Sequence, residues 1–501
     1  MPLINSFFMG ICRREFGACL LAGAAGRLLA LPPRPKLYVL VLLDQFRPDY
    51  LESTGFPLAP GGFRRLMEKG VYFPDCRHLA STFSASSIAT LATGAWPAQH
   101  GIVADTWYDR SIRKPVGASD EALLATTLAA QVTSDPRSRM TVSVVSLDPL
   151  HGELFAGGSD ARQYWMDDAG QFATLGDPPD WLTAFNSQRS LAGLHDAKWT
   201  ALNGRSDSPP LRTLTYVPGR PKEFLELYRS SFFSLAAQCD LVAELVAREK
   251  LGQGNTLDFL CILTGSTGLL GYETGGRSPL MQQMTLQVDR QLESLLNQLT
   301  KSVGENRFNL VLTAAHGAPP EPAPEFRDRM AVKGEALAQA VERSLSTNGL
   351  GHVEKYLYPF LYLDTGGFRD PEPIRVAAGR AALEFAAVAN YYTAGGACSA
   401  QDGWERRFRN SFHPTRSGDV MLSYQPEYVE DFAVGRGISY GSVYSYDVRV
   451  PLFFYGPQFR NGVTFETPVE SVDLAPTLAR LLGVPAPSSS MGRVLGEAFA
   501  S

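Results

Sequence analysis

The chain has 501 residues, with 46 Lys and Arg against 51 Asp and Glu, giving a formal charge of −5. That mildly acidic balance argues against nucleic acid or an anionic membrane as a partner, and 45% hydrophobic against 19% charged residues excludes disorder. Only seven histidines (His78, His100, His151, His195, His316, His352 and His413) leave few places for a histidine-rich metal centre.

Taken in chain order, the N-terminus comes first. Arg13-Arg14 precede Glu15-Phe16, a small apolar run from Gly17 to Gly26, then Ala30 and Pro32-Pro33. This layout predicts a twin-arginine export signal over residues 1–31, with Met9 an alternative start, and places the mature chain in the periplasm or outside the cell. Beyond the signal, no stretch reaches the roughly eighteen apolar residues of a transmembrane helix. Six cysteines contain no CxxC, which argues against a structural zinc site. Cys12 and Cys19 lie in the signal; Cys76, Cys239, Cys261 and Cys398 are left with their pairing open.

Five short apolar runs then recur: Leu37–Leu43, Thr141–Leu147, Leu257–Leu263, Phe308–Thr313 and Val450–Tyr455. They read as strands buried on both faces of a parallel sheet. Helical patterns lie between them, notably 279–299, and 471–482 with Gly483 to stop it. The expected class is therefore α/β, a mostly parallel sheet sandwiched by helices over residues 36–495. Two stretches break the rhythm, within 108–256 and 319–435, and read as insertions capping the sheet. The first carries Trp165, Trp181 and Trp199; the second has its own helix near 331–344.

Ligands of open α/β sheets bind beyond the carboxyl ends of the strands. That rule selects Asp44, Asp148, the segment Thr264–Tyr272, and Ala315-His316. The hydroxyl-rich run Ser81-Thr82-Phe83-Ser84-Ala85-Ser86-Ser87 opens a small-residue helix, where its side chains could cap the helix or face an anion. Gly437-Ile438-Ser439-Tyr440-Gly441 matches G-x-S-x-G, but without the strand before and helix after that a nucleophile elbow needs it reads as a chance match.

Together Val41–Leu51, Ser81–Asp109, Leu257–Tyr272, Asn309–Gly317, Ser445–Gly456 and Val472–Val484 resemble, in order, the type I phosphodiesterase/nucleotide pyrophosphatase branch of the alkaline phosphatase superfamily, closest to its bacterial exported phosphatases. The resemblance implies two zinc ions clamping a phosphoryl group, and a Thr or Ser nucleophile that forms a covalent intermediate. It places the nucleophile at Ser84 and keeps two metal ligands, Asp44 and His316. The other four positions are occupied by Gly268, Tyr272, Ala315 and Arg449, leaving too few donors for a zinc pair; one zinc or another divalent ion is the most that survives. Asp105 stands where an amide should hold the phosphate, and Asp148 and Leu150 replace a Lys and an Arg.

The expected protein is thus an exported, catalytically degenerate family member. Arg449 would pair with Asp44 or Asp105 inside the vacated site, or bind an anion. Two alternatives stand beside it: an active phosphate-ester hydrolase using Ser84 with a single metal or none, and a non-catalytic module binding an anionic or glycan-like molecule beneath the tryptophans. The sequence assigns no nucleic-acid partner and leaves the oligomeric state open.

Overall fold

The apolar runs become strands because Val, Leu and Phe at consecutive positions can be buried only where both faces of a sheet are covered. The computed structural model describes residues 34–53, 57–202, 204, 207–319, 327–399, 403–431 and 440–500. The export signal over residues 1–31 and residues 437–439 of the G-x-S-x-G match lie outside the described residues.

The central sheet is built from β1 (Leu37–Leu43), β2 (Gly70–Arg77), β3 (Thr141–Ser146), β4 (Arg162–Met166), β5 (Phe172–Thr174), β6 (Asp258–Thr264), β7 (Phe308–Ala314), β8 (Arg449–Tyr455), β9 (Val463–Thr464) and β10 (Val469–Glu470). Its order is β9-β2-β8-β7-β1-β6-β3-β4-β5, with β10 also on β2. β7, β1, β6, β3 and β4 run parallel. β8 corrects the expectation from its apolar run: it pairs antiparallel with both β7 and β2. Direction is not encoded in a strand's own residues, so a run buried on both faces reads the same either way. The reversal brings the first residue of β8, Arg449, toward the end of the sheet where β1, β6 and β7 finish.

Register aligns those three carboxyl ends. Leu43 pairs with both Thr264 and Ala314, so Asp44, Gly265 and Ala315-His316 leave the sheet at one level. Four helices matter to the site: α1 (Ser84–Thr93), α2 (Pro149–Ala156), α3 (Ser266–Thr274) and α4 (Pro279–Ser302). Apart from Ile88 and Leu91 the α1 segment is made of small residues, and every residue of it is buried, which lets it pack closely under the crevice.

The segment within 319–435 forms a four-stranded antiparallel sheet in the order His352–Leu357, Phe360–Asp364, Val420–Tyr424, Val388–Thr393. With helices Gly334–Thr347 and Glu372–Leu383 it encloses a second apolar core around Leu337, Val341, Leu361 and Ile374. In the earlier insertion Trp199 is fully buried against Phe232, and the Trp181 indole donates to Glu249 at 2.9 Å. These two rings serve local packing. Among the described residues no single helix is long and apolar enough to cross a membrane; one bent pair, Pro221–Arg229 with Phe232–Arg248, passes by length and composition together.

Candidate active-site crevice

Three side chains from three elements meet at the carboxyl end of the sheet. Asp44 follows β1, His316 follows β7, and Ser84 is the first residue of α1. The Ser84 hydroxyl donates to Asp44 Oδ1 at 3.1 Å and lies 3.0 Å from His316 Nε2, which is itself 3.3 Å from Asp44 Oδ1. His316 is fully buried and Asp44 nearly so. His316 Nδ1 sits 2.7 Å from the Gly317 carbonyl; a carbonyl only accepts, so that nitrogen carries a proton.

Burial alone would push the Asp44 carboxyl up, but the bond and charge of His316 hold it below its ordinary value, with smaller pulls from His151 and Ser84. Burial likewise opposes charge on His316, and Asp44 and then Asp447 hold it above its ordinary value. The two shifts favour charge on both partners, with Ser84 on the edge of the pair. His316 Nε2 and Asp44 Oδ1 are donor atoms that the family resemblance assigns to one metal ion.

Asp105 meets α1 from outside. Its Oδ1 accepts the Ala85 backbone N–H at 2.9 Å and its Oδ2 accepts the Tyr440 hydroxyl at 3.2 Å. The N-terminal N–H groups of a helix attract an anion, and here the chain supplies one itself. Burial raises the Asp105 pKa, and the same Ala85 bond lowers it in part. The neighbouring hydroxyls are structural: Ser81 donates to the Val103 carbonyl, Thr82 to that of Ser442, and Ser86 to those of Ser81 and Phe83. None of them caps α1, which has Phe83 at its N-cap.

The four further positions that the resemblance assigns to metal ligands each have a distinct local environment. A Cβ at Gly268 would lie 2.0 Å from Asp44 Oδ2, so Asp44 occupies the space a ligand side chain there would need. The Tyr272 ring is half-buried and meets Tyr440 edge-on at 6.4 Å. Ala315 is a buried methyl. Arg449 turns away from the crevice: its Nε donates to the Pro74 carbonyl at 3.0 Å and lies 3.6 Å from Asp75 Oδ1, with the side chain about half exposed. It pairs with neither Asp44 nor Asp105, because as the first residue of β8 it lies opposite Arg77 and reaches the adjacent edge of β2.

The donor set does not fit a zinc pair, since one carboxylate, one imidazole and one hydroxyl remain for two ions. Among the described residues no three His, Cys, Asp or Glu side chains cluster as a metal site would require. Asp148 caps α2, accepting from Leu150 N at 2.9 Å, where a phosphate-binding cation would be expected.

Sequence reasoning missed three contributors. His151, on α2, lies near both Asp44 and Asp105, where a positive charge would favour their carboxylates, although burial leaves Asp105 raised. Asp447 is fully buried and accepts from the Ser442 hydroxyl at 2.6 Å; burial, partly offset by that bond and by His316, pushes it up to about 6. Tyr440 stacks on His316, with centroids 4.5 Å apart and planes 20° from parallel. It belonged to the motif set aside as chance, and no spacing rule links it to residues more than 120 positions earlier.

A mostly parallel sheet with a buried serine hydroxyl, a strand-end Asp and a His together at its carboxyl edge is what the alkaline-phosphatase class of α/β protein leads one to expect. Comparison agrees. The type I phosphodiesterase/nucleotide pyrophosphatase family profile matches residues 38–429, and the chain belongs to that family. It is 26% identical to alkaline phosphatase PhoV of Synechococcus elongatus, covering 93% of each chain. It is 25% identical to alkaline phosphatase PafA of Elizabethkingia meningoseptica, covering 93% of this chain and 94% of that one. A crystal structure of wild-type PafA superposes with a TM-score of 0.81 at 22% identity, over 93% of this chain and 99% of that chain, and supports the fold.

Proposed function

We propose that this chain is an exported member of the alkaline phosphatase superfamily that no longer performs two-metal phosphoryl transfer. The observation that carries the reading is the contact at Gly268: the missing ligand is not merely absent, and the surviving Asp44 has taken its space. Asp105 on the α1 N-terminus adds to it, because an entering phosphate would displace or face a carboxylate. Like charges about 4 Å apart repel by a few kcal/mol at a partly buried site. Export rests on the twin-arginine layout of residues 1–31. The inherited ligand class is a phosphate ester; a murine ectonucleotide pyrophosphatase/phosphodiesterase 5 of the same fold, 18% identical with a TM-score of 0.57, was solved with AMP.

The test is metal content together with turnover of an aryl phosphate and an aryl phosphodiester. The expected result is less than one zinc per chain and no zinc-dependent turnover. Two zinc ions per chain, with turnover abolished by Ser84→Ala, would sink the reading.

The 3.0 Å approach of Ser84 to His316 favours a second reading, a metal-free hydrolase. Its chemistry is constrained. The carboxylate and the hydroxyl share Nε2, while Nδ1 faces a carbonyl, so His316 accepts the Ser84 proton only after losing its own. Any such activity would rise with pH through the elevated His316 pKa and vanish in both Ser84→Ala and His316→Ala. A flat pH profile would refute it.

A further inference from the structure

Tyr440 is placed like a bound molecule. Its ring lies against His316 at 4.5 Å and meets Phe83 at 6.1 Å and Tyr272 at 6.4 Å, while its hydroxyl donates to Asp105. A phenol is thus enclosed by aromatic rings from three separate elements, with its polar end on a buried carboxylate. The next residue makes this possible. Gly441 has φ +104°, and a Cβ there would lie 2.4 Å from the Phe83 ring, so only glycine lets the chain pass this close.

We propose that the crevice contains a phenol-binding slot and that Tyr440 is its built-in occupant, closing Ser84 and His316 to outside molecules. The slot's chemistry names its ligand class: a small aromatic alcohol, stacked on an imidazole ring and donating one hydrogen bond to Asp105. The inference goes beyond the loss of the zinc pair and does not depend on it. A crevice without zinc could equally have stood open.

Thermal melts of the full chain with free phenol test it. Tyr440→Gly should melt lower than the wild type and regain at least ~2 °C on adding millimolar phenol. Tyr440→Phe keeps the ring, and it and the wild type should not respond. A phenol response equal in all three proteins, or absent from a folded Tyr440→Gly, overturns the slot. A second measurement needs no destabilised variant: 3-fluorotyrosine at position 440 should give a 19F resonance insensitive to a soluble gadolinium chelate, and strong broadening overturns the proposal. Zinc-dependent turnover gained by Tyr440→Gly would overturn the proposed function while leaving the slot intact.

Discussion

Gly268 and Asp44 make the residue-scale case in its most testable form. A methyl group at 268 would meet Asp44 Oδ2 at 2.0 Å, and Asp44 is held in place by His316 and Ser84. Gly268→Ala should therefore cost about 1–3 kcal/mol, the range typical of overpacking, measured by urea denaturation. Asp44→Ala should relieve that cost, so the double variant should be less destabilised than the sum by at least ~1 kcal/mol. Strict additivity would place the Asp44 carboxylate elsewhere. Asp44, Ser84 and His316 were legible as residues because each follows a recognisable strand end or motif. Their mutual contacts were not, because these depend on how β1, β7 and α1 converge. Arg449 shows the limit, since its reach to Pro74 and Asp75 is set by β2, a partner absent from its own motif.

At the scale of elements, the short parallel pair Ala331–Val332 and Val429–Glu430 ends in a buried acid. Tyr424 donates to Glu430 Oε2 at 2.6 Å and Tyr356 donates to it at 3.2 Å. Burial pushes Glu430 up to about 7 despite both bonds. The native state then holds this proton at pH values where the unfolded chain, with an ordinary carboxyl, has released it. Stability should fall as pH rises from the ordinary carboxylate range through about 7. The loss, by the shift, is at most about 3 kcal/mol. Glu430→Gln should flatten that part of the profile; a variant with the wild-type slope between pH 5 and 8 would refute it. Elements themselves were read unevenly. β1, β3, β6 and β7 are mostly apolar and were found nearly to the residue. β2 (GVYFPDCR) was missed, because its Pro74 and Asp75 and its half-exposed alternation dilute the signal at the side of the sheet. Helix α4 was seen from its apolar stripe, and α1 as the helix that the hydroxyl run opens, without its first residue being fixed, since Ser84, Ser86 and Ser87 could equally cap it.

For the whole molecule, the cysteine question left open by the sequence has an answer among the described residues. Cys76, Cys239 and Cys261 form no disulfide. Burial raises the thiol pKa of Cys76, Cys239 and Cys261, which keeps them protonated and unreactive. Thermal melts of the purified chain should be the same with and without reductant, and a reductant-dependent drop of several degrees would contradict this. The α/β class was legible because repeated apolar runs admit few architectures. The mixed direction of the sheet was not, since it arises from β8 crossing back between β7 and β2. The contact at Gly268 also carries a consequence for redesign. Gly268, Tyr272, Ala315 and Arg449 lie on α3, at the end of β7 and at the start of β8. An acid placed at 268 alone would clash with Asp44 Oδ2. Any attempt to build a metal site here would therefore have to move Asp44 first, and single substitutions at 268 would cost stability before they could bind anything.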